Sequence, residues 1–460
     1  MGNTVQNERE YEDGLSSNNV ILITIDCLRA DHVGCYGYTR ETTPFIDSLA
    51  RTGMVFTHFF SNGPFTSAAF PAILSSSYAL DNGKYISLKG RTLVGEILQK
   101  EGITTAGIHS NPYLSSQCGY YRGFDYFEDC MTGSLSSSPS SLTRILQKGN
   151  TIIDSLLKSQ GSREIKSMVK NYITLRHEPF VSAQKITTLA TKWIESIGEH
   201  PFFLWIHYMD IHEPYVILNT DIEQRDSSGL SRFRQSQLLS NKKAYLPDII
   251  SVYDDKLRYI DSQIKRLHHV VTRKTGNPLC IITSDHGQEF YEHGDFGHKA
   301  KYYDEILHIP LIIHGASGTG VSDTMRSQVD IAPTILELYG VESPSHYQGS
   351  SLLSDTHNEC VISESSHDEH RKSLVESHSS HPYTSYACRT RQWKYIYQFE
   401  EEGLYFLGED PAETCNVAQN LPHSIRDLRD AVDHHKYCQA HREKERIDKS
   451  IKQMKSTFTL

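Results

Sequence analysis

The sequence predicts an α/β fold, with helices on both faces of a mostly parallel central sheet and a small C-terminal β-containing subdomain. Short, continuous apolar runs rich in β-branched residues occur at Val20–Ile25, Phe202–Ile206, Leu279–Thr283 and Ile309–Ile313. Such runs are typical of strands buried on both faces. The segment Leu257–Val271 repeats apolar residues every three to four positions, as an amphipathic helix does. Strands that alternate with such helices indicate a parallel sheet.

The composition is that of a globular protein with a large core. Of its 460 residues, 38% are hydrophobic and 22% are charged, which argues against global disorder. This length suits one large α/β domain with a smaller appendage. The formal net charge of −10 gives no basic footprint for nucleic acid. An anionic substrate would therefore need a local positive charge, which a bound metal ion could supply.

Four regions are predicted along the chain. They are a disordered lead-in over residues 1–18, a catalytic α/β domain over 19–340, a small C-terminal subdomain over 341–423 and a charged helical tail over 424–460. The Ser-rich stretch Gly133–Ser141 is expected to be a surface loop that leads into a helical insertion between Leu142 and His200. Strand-like segments at Trp393–Tyr397 and Leu404–Leu407 define the C-terminal subdomain.

The chain is expected to be cytoplasmic, without a membrane span. Its first residues are polar and acidic and lack the apolar segment of a secretory signal. No apolar run reaches the roughly 18 residues that cross a bilayer. The nine cysteines show no zinc-ribbon spacing, so most are expected to be buried thiols.

Three of the predicted strands end in acidic or histidine residues. Asp26 ends the first, the segment His207–Asp210 follows the second, and Asp285 and His286 follow the third. In parallel sheets ligands bind beyond the carboxyl ends of the strands. An isolated aspartate there is more often a helix cap. The coincidence of several such residues is what indicates a functional site.

Four further residues qualify as site candidates. Thr66 precedes a short helical pattern, where backbone N–H groups favour negative charge, although a hydroxyl there is more often a cap than a nucleophile. His212 follows the second strand, and His293 and His298 lie in a Gly-containing loop after His286. Adjacent Asp285 and His286 suit a metal ion, offering an oxygen and a nitrogen ligand.

Five ordered segments resemble signature segments of the sulfatase family, within the alkaline phosphatase superfamily. They are IDCLRADHVGCYGY, TSDHGQEFYEHGDFGH, YYDEILHIPLII, VDIAPTILELYGV and LYFLGEDPAETCNVAQN. The resemblance covers nearly the whole chain. It implies an alkaline-phosphatase/sulfatase-like fold and an arylsulfatase-like hydrolase of anionic esters.

The resemblance also implies roles for individual residues. The implied ligands of one divalent metal, beside the nucleophile, are Asp26, Thr66, Asp285 and His286. His212 and His298 match positions that contact the anionic group of the substrate, and His298 stands where many sulfatases have lysine. The order of these residues is similar to that in two-zinc phosphatases, where Asp210, His212 and His298 would hold a second metal.

Three residues are interpreted as supports for the site. Arg29 and Asp31 follow the first strand closely and are favoured as structural residues. Asn111, in the segment GIHSNPYL, lies near another segment that contacts substrate in the family.

Two departures from the family pattern bear on the chemistry. Cys27 occupies the place of a second aspartate, which favours manganese or zinc over calcium. The segment Thr66–Phe70 lacks the cysteine, proline and arginine that accompany formylglycine. Threonine cannot form that aldehyde, because its extra methyl would leave a ketone. Formylglycine is therefore not expected, and an unmodified threonine is what the phosphoryl-transferring relatives use.

The predicted function is hydrolysis of a sulfate or phosphate ester by in-line attack of a metal-activated Thr66. The ester is expected to be a small molecule or a glycan. One alternative is a phosphotransferase, in which an alcohol instead of water resolves the Thr66 intermediate. Another is a non-catalytic protein that retains a metal site and binds an anionic glycan.

Overall fold

The computed structural model describes residues 19–82, 88–130, 180–215, 241–366, 384–421 and 424–457. The lead-in predicted for residues 1–18 and the Ser-rich loop Gly133–Ser141 lie outside the described residues. Of the insertion predicted between Leu142 and His200, the structure describes residues 180–200, which include a helix at Ala183–Ser196.

Sixteen strands are found in the part of the chain that the structure describes. In chain order they are β1 (Asn19–Ile25), β2 (Met54–Phe56), β3 (Phe59–Phe60), β4 (Thr104–His109), β5 (Tyr126–Asp129), β6 (Phe202–Tyr208), β7 (Leu279–Ser284), β8 (Glu289–Phe290), β9 (Phe296–Gly297), β10 (Leu311–His314), β11 (Gly320–Ser322), β12 (Arg326–Ser327), β13 (Val361–Ser366), β14 (Thr384–Arg389), β15 (Trp393–Gln398) and β16 (Glu401–Phe406).

The described helices lie between and after these strands. They are α1 (Pro44–Ala50), α2 (Thr66–Ser75), α3 (Val94–Lys100), α4 (Ala183–Ser196), α5 (Leu246–Thr275), α6 (Asp304–Leu307), α7 (Ile331–Leu338) and α8 (Ser424–Thr457), with 3₁₀ turns at Ala30–His32, Gly34–Tyr36, Pro112–Leu114, Ser116–Cys118 and Gln328–Asp330. Within these ranges, no helix combines the length and the hydropathy needed to cross a membrane.

An eight-stranded sheet in the order β11-β2-β10-β7-β1-β6-β4-β5 forms the centre of the fold. Strand β1 runs parallel to β6 and to β7, and β4 runs parallel to β5 and β6. The mostly parallel sheet is therefore confirmed. The run Ile309–Ile313 differs from the prediction, because its strand begins at Leu311 and pairs antiparallel with both β7 and β2.

Central strand β1 shows why the sheet is covered on both faces. Because side chains along a strand point alternately to opposite faces, Ile21, Ile23 and Ile25 pack in one cluster with α1, α4 and α5. Val20 and Leu22 pack in another cluster with α2, α3 and α7. This two-sided burial is what the apolar run predicts.

The C-terminal part is an antiparallel sheet in the order β13-β14-β15-β16. Strands β15 and β16 correspond to the segments predicted at Trp393–Tyr397 and Leu404–Leu407. Helix α8 packs on β14 and β15, and its Leu428 shares an apolar cluster with Phe65 and Ala68 at the start of α2. The C-terminal sheet and its helix thereby support the segment that carries Thr66.

Candidate active site

The candidate site lies at the carboxyl ends of the adjacent parallel strands β1, β6 and β7. Asp26 follows β1, His207 lies near the end of β6, and Asp285 and His286 follow β7. All four side chains are fully buried. The register pairs Thr24 of β1 with His207, which brings the ends of these strands to one place.

Asp26 is the centre of the cluster, and its two oxygen atoms face different partners. Oδ2 accepts hydrogen bonds from Asn111 Nδ2 at 2.9 Å and from Thr66 Oγ1 at 3.4 Å, and lies 3.2 Å from His207 Nε2. Oδ1 accepts a hydrogen bond from Cys27 Sγ at 3.0 Å. The carboxylate thus joins the segments that follow β1 and β4 and the end of β6 to helix α2.

Thr66 is the first residue of α2, which begins without a side-chain cap. Its hydroxyl oxygen lies 3.4 Å from His286 Nε2 and accepts a hydrogen bond of 3.4 Å from Asn111 Nδ2. His286 Nδ1 donates to the Gly287 carbonyl at 2.9 Å, so the lone pair of Nε2 faces Thr66. A side chain at Gly287 would place its Cβ 2.1 Å from the Glu305 carbonyl oxygen, so only glycine permits this turn.

The buried carboxylates fit a divalent metal ion. Oxygens of Asp26 and Asp285 and a nitrogen of His207 all lie within 4.8 Å of one another. Burial and the charge of Asp26 raise the pKa of Asp285 to about 7. Burial opposes the ionisation of Asp26 too, but the positive potential of His212 and the hydrogen bond from His207 hold its pKa well below its usual range. Asp285 Oδ2 is buried without a hydrogen-bond partner among the described residues. A cation would satisfy this oxygen and let both carboxylates ionise.

Two further groups of ligand atoms lie within 4.8 Å of one another. One is formed by Asp26, Cys27 and His286, and the other by Cys27, His212 and His298. The backbone of Cys27 has a φ of 61°, a left-handed conformation that residues other than glycine rarely adopt. This conformation accompanies the short contact of its thiol with Asp26.

A cavity of about 210 Å³ opens onto Thr66. Its walls include Asn111, Phe180, His212 and His298. The rings of His212 and His298 meet edge to face, with centroids 4.9 Å apart. The two histidines predicted to contact an anionic group thus line the same cavity as the predicted nucleophile.

Asp210, predicted to hold a second metal with His212 and His298, is not a member of the three groups of ligand atoms found among the described residues. Its Oδ1 accepts a hydrogen bond of 3.0 Å from the backbone N–H of Ala183, the first residue of α4. The residue whose ligand atom lies within 4.8 Å of those of both His212 and His298 is Cys27.

Arg29 and Asp31 form a supporting ion pair next to the site. Arg29 lies 2.7 Å from Asp31 and 2.6 Å from Glu292, and it donates to the backbone oxygen of Gln288 at 2.9 Å. These contacts tie the loop after β1 to the loop after β7. His293 pairs with Glu305 at 2.7 Å and is not a member of the three ligand groups found among the described residues.

The sequence interpretation includes His207 only as part of the segment after the second strand and gives it no role, whereas its contact with Asp26 makes it part of the centre. Its Nδ1 lies 2.9 Å from Thr24 Oγ1. The predicted strand stops at Ile206, one residue before it. A polar residue that continues a strand buried on both faces is a signal that could have identified it.

The chain matches known families over most of its length. The Sulfatase family model matches residues 18–341, and the model described as N-sulphoglucosamine sulphohydrolase, C-terminal, matches residues 291–436. Arylsulfatase K of Mus musculus is 24% identical over 463 residues, which cover 88% of this chain and 76% of that protein.

Solved structures share the fold at low identity. The phosphonate monoester hydrolase of Agrobacterium radiobacter has a TM-score of 0.65 at 17% identity, over 92% of this chain and 96% of that one. The protein BT4656, in complex with its substrate D-glucosamine-2-N,6-O-disulfate, has a TM-score of 0.62 at 18% identity, over 92% and 98%.

These neighbours share the mixed α/β fold of this chain, which is the alkaline phosphatase-like fold. The chain belongs to the sulfatase family, because that family's model spans more than half of it. The predicted class of enzyme is a sulfuric or phosphoric ester hydrolase of the sulfatase family, and the family and its arylsulfatase relatives support the sulfuric ester hydrolase.

Proposed function

We propose that Thr66 is the nucleophile of a metal-dependent sulfate ester hydrolase. The ligands of the metal would be Asp26, Thr66, Asp285 and His286. The observation that carries the proposal is the position of the Thr66 hydroxyl, 3.4 Å from both Asp26 Oδ2 and His286 Nε2 at the start of α2. Membership of the sulfatase family and the similarity to arylsulfatase K support a sulfate ester. The sulfated sugar bound by a protein of the same fold supports a small molecule or a glycan as substrate.

The metal, for which manganese, zinc and calcium are the candidates, would favour the alkoxide of Thr66 and offset charge on the ester oxygens. The hydroxyl proton of Thr66 points to Asp26 Oδ2, the acceptor in the hydrogen bond between them. Asn111 donates to the same hydroxyl oxygen and can stabilise negative charge on it. Attack on sulfur would form a Thr66–sulfate ester and break the bond to the leaving oxygen, which takes up a proton.

His212 and His298 face Thr66 across the cavity, where the anionic group of the ester would bind. His212 Nδ1 donates to the Glu213 carbonyl at 2.6 Å, which orients its Nε2. Water would then attack sulfur and release the Thr66 oxygen. A threonine ester has no second hydroxyl of its own to expel sulfate, so this water must be activated within the cavity.

A phosphate ester is the second candidate substrate. Unmodified threonine suits phosphoryl transfer, and a phosphonate monoester hydrolase shares the fold. Resolution of the same intermediate by an alcohol would make the protein a phosphotransferase.

The test is a turnover assay of the full chain, stripped of metal and reloaded with manganese, zinc or calcium. Matched chromogenic sulfate monoesters, phosphate monoesters and phosphate diesters are compared. We expect metal-dependent cleavage of the sulfate ester. Thr66→Ala should lower kcat by several orders of magnitude, as removal of a covalent nucleophile does. Thr66→Ser is the matched control, because it keeps the hydroxyl and should retain turnover.

Other outcomes select among the alternatives. Preference for phosphate esters would establish the second candidate, and a phosphorylated alcohol product would establish phosphotransfer. Turnover that survives Thr66→Ala but is lost in Ser67→Ala would identify Ser67 as the nucleophile. Absence of turnover, with sulfated-sugar binding unchanged in Thr66→Ala, would indicate a binding protein.

A further inference from the structure

Cys27, His212 and His298 form a cluster that the mechanism above uses only in part. Their ligand atoms lie within 4.8 Å of one another. Cys27 is fully buried, whereas His212 and His298 are half-buried and line the cavity in front of Thr66. The cluster therefore combines a sulfur and two nitrogen ligands with an opening to the substrate side.

We propose that Cys27, His212 and His298 bind a second divalent cation of thiophilic character, for which zinc is the best match. Thiolate and imidazole ligands select zinc over calcium and magnesium, which prefer oxygen. Three protein ligands with an open fourth position are the arrangement of catalytic zinc sites. The inference rests on the proposed function, in which another metal lies beside Thr66.

The spacing of the ligand atoms fits a tetrahedral zinc ion. Zinc lies about 2.3 Å from a cysteine sulfur and about 2.0–2.1 Å from an imidazole nitrogen, which places two such ligands roughly 3.5 Å apart. Cys27 Sγ lies 3.6 Å from His298 Nδ1. The same nitrogen is 3.4 Å from Gln288 Oε1, so metal binding would replace this long contact and the hydrogen bond that Cys27 Sγ donates to Asp26 Oδ1 at 3.0 Å.

The surroundings orient the other ligands as in known metal sites. A histidine that binds a metal through one nitrogen usually donates from the other to a carbonyl or carboxylate. His212 Nδ1 makes this contact with the Glu213 carbonyl at 2.6 Å, which leaves Nε2 for the cation. Asp26 presents Oδ1 to Cys27 and Oδ2 to Thr66, so its carboxylate contacts one proposed ligand of each metal.

The second cation would supply the positive charge that an anionic ester needs. The chain carries a formal net charge of −10, and the carboxylates of Asp26 and Asp285 lie close together beside Thr66. Binding converts the thiol of Cys27 to a thiolate and releases one proton to solvent. When bound, the cation would supply positive charge and Lewis-acid chemistry on the side of the cavity that His212 and His298 line.

The test measures metal content and the absorption of the cobalt-substituted full chain. The protein is stripped with a chelator and equilibrated with Zn²⁺ or Co²⁺, and bound ions are counted by mass spectrometry. We expect two ions per chain and a sulfur-to-cobalt charge-transfer band in the near ultraviolet. Cys27→Ser should bind one ion and lose the band. Cys35→Ser, a control eight residues along the chain, should keep both, since its thiol is outside the cluster.

A second variant tests the same site in case Cys27→Ser does not fold. His298→Lys places a permanently charged side chain at this half-buried position, and a protonated lysine cannot bind a metal. It should also bind one ion and lose the band. An absent band in the wild type, or a band and ion count unchanged in both variants, would overturn the inference.

The two metal proposals fail separately. Asp285→Asn should lose one ion and keep the charge-transfer band, because it removes a ligand of the metal beside Thr66. If Asp285→Asn binds as many ions as the wild type and keeps the band, the first metal site is wrong and the second stands. If neither the wild type nor Asp285→Asn shows the band and the variant binds one ion fewer, only the first metal site stands.

Discussion

At the scale of single residues, Asn111 links the predicted nucleophile to the centre of the site. Its amide donates to Asp26 Oδ2 at 2.9 Å and to Thr66 Oγ1 at 3.4 Å. A hydrogen bond to a charged group contributes about 1.5–3 kcal/mol. Asn111→Ala should therefore lower kcat about 10- to 100-fold, which steady-state kinetics with the metal-loaded enzyme would measure.

Asn111→Asp is the matched variant for this prediction. It keeps the size of the side chain but replaces the donor with a carboxylate beside two others. We expect it to be at least as damaging as Asn111→Ala, with melting temperatures recorded to separate catalysis from folding. Unchanged kcat in both variants would mean that Asn111 only supports the turn in which its Oδ1 accepts from the Tyr113 N–H at 2.9 Å.

Single residues also show how far the sequence could predict the site. Asp26, Asp285 and His286 could be predicted because parallel strands bring their carboxyl ends to one edge. Asp210 follows a strand in the same way, yet it caps α4. The direction in which an acidic side chain points after a strand depends on the conformation of the loop. Loop conformation has no hydrophobic periodicity from which it could be predicted. In the sequence, Cys27 could be interpreted only as the replacement of an aspartate. Its contact with His298 joins positions 271 residues apart, and no local pattern predicts such a contact.

At the scale of elements, α8 supports the C-terminal sheet through one apolar side. Leu428 is 7% exposed and packs in the cluster that contains Phe65, whereas Ile447 on the same helix is 50% exposed. Leu428→Ala should lower the free energy of unfolding by about 2–5 kcal/mol, because it leaves a cavity. Ile447→Ala, the control, should change it by less than about 0.5 kcal/mol.

Denaturant unfolding of the two variants and the wild type would measure these differences. Equal stability of all three would mean that α8 does not hold the C-terminal sheet. Leu428→Ala should also lower turnover if the cluster around Phe65 positions the start of α2, where Thr66 lies.

Strand positions were easier to predict than strand directions. The runs at Val20–Ile25 and Leu279–Thr283 became β1 and β7, because β-branched residues with no polar face require burial on both sides. The run at Ile309–Ile313 was equally clear, but its strand is antiparallel to β7. Direction depends on how the preceding loop and the short helix α6 return the chain to the sheet, and hydrophobic periodicity does not record it.

At the scale of the whole molecule, the proposed first metal would join the two central strands. Asp26 and Asp285 follow β1 and β7, which pair up to Ile25 and Ser284, and Thr66 adds α2. Removal of the cation would leave two buried carboxylates within 4.8 Å of each other at the carboxyl ends of β1 and β7. This repulsion would lower the free energy of unfolding of the whole protein.

Metal stripping should therefore lower the melting temperature, and Mn²⁺ should restore it. A ligand at 100 times its dissociation constant stabilises the native state by about 2.7 kcal/mol. For a chain of 460 residues this corresponds to a shift of about 3 °C, measurable by calorimetry. Asp285→Asn is the control. It removes one of the two buried charges, so the stripped variant should melt no lower than the stripped wild type, and Mn²⁺ should shift it less. If Mn²⁺ raised the melting temperature of both proteins equally, the ion would bind elsewhere, and the buried carboxylates would have to share a proton instead of a metal.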